Sequence, residues 1–98
     1  MSAQILVKEQ DQQTPSGFEV RVTENGSQLD FHVTLSDALY QNLSGGLYSK
    51  TDCIKAAFRF LLDREPKESI LRRFDLSVIS NYFPEFQNRI SDYLQGIK

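Results

Sequence analysis

At 98 residues, with 40% apolar and 24% charged side chains and a net charge of −2, the chain has room for one hydrophobic core. Its composition is that of a globular domain, neither disordered nor membrane-embedded; no apolar run approaches the roughly 18 residues needed to span a bilayer. The only cysteine, Cys53, excludes an internal disulfide and a cysteine-built zinc site.

Charge is unevenly spread. Residues 1–49 carry two bases against six acids, a balance of −4, whereas residues 50–75 carry seven bases against five acids, a balance of +2. That polarity is much milder than the basic stripe of a typical nucleic-acid binder.

Along the chain, residues 1–17 read as a tail or an edge strand. "QILV" has the composition of a strand, and "QDQQTPSG" reads as a loop. The start has only a short apolar run and no basic leader, which argues against a secretory signal and for a cytoplasmic protein.

Residues 18–35, "FEVRVTENGSQLDFHVTL", predict a β-hairpin. Asn25-Gly26 is the dipeptide preferred for a two-residue type I′ turn, where both positions need positive φ. That loop fixes the register: Val22 faces Leu29, Val20 faces Phe31 and Phe18 faces Val33, all on one side. The other side sets Thr23 against Gln28, Arg21 against Asp30 and Glu19 against His32. His32 is the only histidine and has no spacing partner for a metal site or a catalytic triad, so an exposed strand position opposite Glu19 is its plain reading.

Residues 36–98 read as helical. Ser36 suits an N-cap, Leu35, Leu39 and Leu43 are spaced by four, and "SGG" at 44–46 ends that short helix with a glycine. Ser49 and Asp52 stand at capping-box spacing before a central helix. Its polar positions Asp52, Lys55, Arg59 and Asp63 form one narrow stripe, with Arg59 in reach of Asp63. Cys53 falls among its apolar positions and reads as a small buried hydrophobe.

Pro66 then suits the first turn of another helix, "KESILRRF". There Ile70, Leu71 and Phe74 would share an apolar side, with Lys67, Glu68, Arg72 and Arg73 on the wet side. Asp75 can cap "LSVISNYF", with Leu76, Ile79 and Phe83 aligned. Pro84 opens a last helix, in which Phe86, Ile90, Tyr93 and Leu94 share a face. The expected fold class is therefore α+β, with an N-terminal hairpin, an optional third edge strand, and four or five short helices around one core. Residues 18–98 make a single domain, divided into an 18–35 hairpin and a 36–98 helical part.

The stretch "AAFRFLLDREPKESILRRFDLSVISNYFPEF" resembles a group of small bacterial proteins of unassigned function, a resemblance that implies no activity. "FHVTLSDALYQNLSGGLYSKTDCIKAAFRFLLDRE" is similar in outline to the ribbon-helix-helix regulators: a strand, a Ser-capped helix, a glycine turn and an amphipathic second helix. That resemblance implies an intertwined dimer that sets paired strands into the DNA major groove.

The residues favour a different function, a non-enzymatic domain acting through contacts with a protein partner or with itself as a homodimer. A hairpin with open edges and a helix apolar on most sides both call for cover. The candidate interaction surface is Arg64, Lys67, Arg72 and Arg73, each with an acid nearby (Asp63, Glu65, Glu68, Asp75) that also fits a solvated helix face. A nucleic-acid-binding regulator or antitoxin is the alternative, disfavoured because Asp30 faces outward on the strand and Arg21 is its only firm cation. No phosphate-cradling glycine loop and no acid pair at cleft spacing point to an enzyme or to a cofactor.

Overall fold

The computed structural model describes residues 3–11 and 16–97. Three strands come first, β1 (Gln4–Asp11), β2 (Ser16–Glu24) and β3 (Ser27–Leu35). They are followed by α1 (Asp37–Ser44) and α2 (Lys50–Arg64), and then by a 3-10 turn at Lys67–Ser69 and a short strand, β4 (Arg73–Asp75). A second 3-10 turn at Leu76–Val78 leads into α3 (Ile79–Tyr82) and α4 (Phe86–Ile97). The fold is α+β.

The strands form one sheet in the order β1-β2-β3-β4. β1 and β3 pair antiparallel with β2, and β4 lies parallel to β3. Across the hairpin every predicted pair is present, from Phe18 opposite Val33 to Thr23 opposite Gln28. Asn25 and Gly26 take φ of 55° and 80°, the left-handed pair that a type I′ turn requires. Of the two readings for residues 1–17, the strand is realised in β1; residues 12–15 of the expected loop lie outside the described residues.

Strand periodicity then separates two faces. Ile5, Phe18, Val20, Val22, Phe31, Val33 and Leu35 are buried on one face, under the helices. Glu19, Arg21, Asp30 and His32 stand on the other, which is open. α2 fills the middle of the helical layer, packing on β1 and α4, and buries Cys53, Ile54, Ala56, Ala57, Phe58, Phe60 and Leu61. Phe58 and Phe60 are wholly buried, each such burial contributing about 1.5–3 kcal/mol. Phe58 stacks toward Phe31 at 5.2 Å and Phe74 at 6.0 Å, while Phe60 meets Phe83, Phe86 and Tyr93 within 5.8 Å.

The caps sit where expected. Ser36 Oγ accepts from the Leu39 N–H at 3.2 Å, and Ser49 Oγ from the Asp52 N–H at 3.0 Å. Gly45 closes α1 with φ 59°, its N–H returning to the Gln41 carbonyl. Asp75 accepts from the Ser77 N–H at 3.1 Å, although the helix it opens is a 3-10 turn running into the four-residue α3. In α4, Phe86, Ile90 and Leu94 are buried, with Tyr93 beside them.

The expected helix over "KESILRRF" is corrected: only Lys67–Ser69 turns, as 3-10, and Arg73–Asp75 is a strand. Thus the part read as wholly helical, 36–98, contributes the fourth strand, and the sheet is larger than a hairpin with one optional partner. The physical reason lies in β3. Its outer edge would leave buried backbone groups unpaired, and the His32 N–H instead donates to the Arg72 carbonyl at 2.8 Å. Pairing also presses Phe74 onto Phe58. Weak helix propensity yields to that combination. The supposed apolar side splits accordingly, with Ile70 buried and Leu71 49% exposed.

Candidate interaction site

The four predicted basic residues do not form one surface. Arg64, at the end of α2, sets its guanidinium carbon over the Phe60 ring, 3.7 Å from its centre, and Nε donates to Glu85 at 3.1 Å. Its Nη1 donates to the Tyr93 hydroxyl at 3.4 Å, and that hydroxyl donates to Asp63 at 2.6 Å. Asp63 therefore serves Tyr93 rather than Arg59. Burial works against the Arg64 charge, but the bonds to Tyr93 and Glu85 outweigh it and hold the guanidinium more firmly protonated than usual. This group fastens α2 to α4.

Lys67, expected on the wet side, is 4% exposed, and its Nζ lies 3.1 Å from Glu68. That hydrogen bond holds the Glu68 carboxyl below its ordinary range. Arg72 is exposed but turned back onto β3, where Nε donates to the Asp30 carbonyl at 2.8 Å and the guanidinium carbon sits 5.7 Å from the Phe31 ring. Only Arg73 is exposed with no side-chain hydrogen bond or ion pair among the described residues. It stands on the open sheet face in register with His32.

On that face Arg21 and Asp30 are joined at 2.9 Å and 3.3 Å, which raises the arginine's affinity for its proton and lowers that of the carboxyl. His32 Nδ1 lies 2.6 Å from Glu19 Oε2. Thr34 donates to Asp75 at 2.6 Å. The face is built mainly of cross-strand polar pairs. Cys53 is buried, and burial followed by the nearby Asp52 charge pushes its thiol up to about 11, far from a reactive thiolate. Among the described residues no group of three or more His, Cys, Asp and Glu side chains is placed to hold a metal ion, and no helix is long and apolar enough to cross a membrane.

One apolar feature is unaccounted for by these pairings. Beside β4, on the helix side of the sheet and with Phe74 in its lining, lies a groove of about 170 Å³. Its floor is built by Leu61 of α2, Ile70 of the following loop, Phe74 of β4, and Ile79 and Phe83 from the α3 turn. Leu71 and Tyr82 form its rim, at 49% and 66% exposure, and Glu65 supplies one acid. These are two of the four large apolar side chains exposed among the described residues; the others, Leu6 and Leu47, do not line this groove. The groove is smaller than the roughly 300 Å³ at which small-molecule sites begin, and is sized for a side chain. Sequence periodicity missed it because four separate segments build its floor, and the helical reading had turned Leu71 inward. The alternation Arg73-Phe74-Asp75, out-in-out, is the one local sign of the strand beside it. No family model, curated protein or solved structure matches the chain.

Proposed function

We propose that this chain is a non-enzymatic domain that works through protein–protein contact, and that the flank of β4 is its contact surface. The observation that carries the reading is the coincidence, in one place, of an unpaired strand edge, an apolar groove and two exposed apolar side chains on its rim. Exposed apolar clusters of this kind, rimmed by polar residues, are a recurrent mark of protein interfaces. Of the four cations of the sequence reading, Arg73 on the open face of β4 is left to meet a partner, whereas Arg64, Lys67 and Arg72 are engaged within the chain.

The ribbon-helix-helix reading asks β3 to offer an edge to a second subunit. At residues 32–34 both edges of β3 are taken within the chain, by β2 and β4, which leaves a second subunit only the part of that edge before His32 and supports the protein-contact reading over it.

The test is site-specific photocrosslinking in living cells. A crosslinking residue at Tyr82 should give a discrete protein adduct that Leu71→Asp removes, and the same residue at exposed Asp92 should give none. Adducts that form equally from both positions, or an adduct to nucleic acid at Tyr82, would overturn the reading. Purified protein should in addition show no association with random duplex DNA or RNA at low salt, where electrostatic affinity is greatest.

A further inference from the structure

Resting on that reading of the β4 flank, we propose that its occupant is a second copy of this chain, joined through antiparallel β4 strands about a two-fold axis at Phe74. The backbone sets the first condition. Because the Arg72 carbonyl accepts from His32, strand alternation turns the polar groups of Phe74 toward β3 and those of Arg73 and Asp75 outward. Among the described residues no backbone hydrogen bond crosses that outer edge. A second strand can therefore bond to Arg73 and Asp75 without disturbing β3.

Charge selects the partner and the register. A two-fold contact joins one patch to itself, so the patch must carry both members of each complementary pair. With the axis at Phe74, Arg73 of each copy stands opposite Asp75 of the other, twice over. Across the seam the Asp75 N–H of each copy can donate to the Arg73 carbonyl of the other, and the Arg73 N–H to the second lone pair of the Asp75 carbonyl, whose first accepts the opening bond of the 3-10 turn at Leu76–Val78. An axis at Arg73 would set two arginines face to face, and one at Asp75 two aspartates, both unfavourable. The Arg73 side chain has no partner among the described residues. The Asp75 carboxylate, bonded to Thr34 and Ser77, retains acceptor capacity when ionised.

Shape meets the same requirement. The flank carries a hollow and a projection together, the groove of about 170 Å³ and the exposed Tyr82 ring. An apolar cavity of about 150 Å³ holds a benzene ring, so the groove of one copy matches the Tyr82 ring of the other. Three residues of strand are too few to hold a dimer alone, and the groove supplies the apolar area that the seam lacks.

The experiment is sedimentation equilibrium of the purified full chain from about 1 µM to about 1 mM, the range spanning ordinary to weak contacts. The mass should rise from 11.3 kDa toward twice that value. Arg73→Pro removes one outward N–H at an edge position where proline is tolerated, and should weaken association by about tenfold or more. Arg73→Asp, which leaves the backbone intact, and Tyr82→Glu should do the same; Leu47→Glu should leave the mass unchanged. Far-UV circular dichroism verifies that each variant is folded. A chain that stays at 11.3 kDa throughout, or a dimer indifferent to both Arg73 variants, overturns the proposal. In that event a Tyr82 adduct to some other protein would still uphold the contact reading, whereas the absence of any site-specific adduct would remove both.

Discussion

The two edges of the sheet are built on opposite plans. β1 is eight residues long, shows exposed Lys8, Glu9 and Gln10 to solvent, and breaks register between Glu9 and Asp11. Charge and irregularity of that kind are standard protection against unwanted strand pairing. β4 is three residues long, carries no lysine, and has an apolar groove along its flank. Shortness normally blunts an edge as well. What distinguishes β4 is that its neighbourhood, not its length, offers a partner something to bind. An edge is thus better judged by what flanks it than by how many backbone groups it exposes.

The largest effect that would test this contrast is Phe58→Ala. Phe58 stacks between Phe31 and Phe74 and so holds β4 to the helical layer; its loss should cost about 3–5 kcal/mol in urea unfolding. Amide exchange at Phe74 should then rise more than at Val7, and the reverse order would break the contrast. Next comes Ile5→Ala, on the buried side of β1, expected to cost about 2–4 kcal/mol while the NMR signals of Tyr82 stay in place.

Asp75→Ala should cost about 1 kcal/mol, the usual value of a lost N-cap. Burial pushes the Asp75 carboxyl up, but bonds from Thr34 and Ser77 outweigh it, so in the folded chain it lies below its ordinary 3.8. A lowered folded value means stabilisation that is present above pH 3.8 and lost as pH falls through the folded value. The gap between wild type and Asp75→Ala should accordingly narrow in acid, and a gap that is constant with pH would assign it to packing alone. The smallest effect belongs to Arg21 and Asp30, which are exposed to solvent. A double-mutant cycle on that pair should return no measurable coupling at physiological salt.

The same two regions differ in how far they can be read from residues alone. Asn25-Gly26 dictates a loop of two, and a loop of two dictates the whole β2–β3 register, so local chemistry carried the hairpin. Ser36, Gly45 and Ser49 act within three or four positions of themselves and were legible for the same reason. β4 was not. Three residues are too few to display a period, and the i, i+4 spacings of Lys67 to Phe74 suit a helix equally well. What decides between them is the edge of β3, some forty positions upstream in the chain. The basic residues failed likewise: Arg64 is committed by Glu85, just before α4, and by Tyr93 on that helix, and nothing near Lys67 in sequence announces its burial.

The parallel seam between β3 and β4 also has a kinetic consequence. Its two strands are separated by residues 36–72, a span that includes α1 and α2, whereas β2 and β3 are joined by a two-residue turn. Closing a long span early sacrifices chain entropy before any contact repays it. The hairpin and the two helices are therefore expected to form first, with Phe74 variants slowing folding little and speeding unfolding. A chain still being completed would hold its β3 edge bare and would have no β4 flank at all. The surface assigned here to recognition then comes into being with the last step of folding, so that only a finished molecule can be recognised.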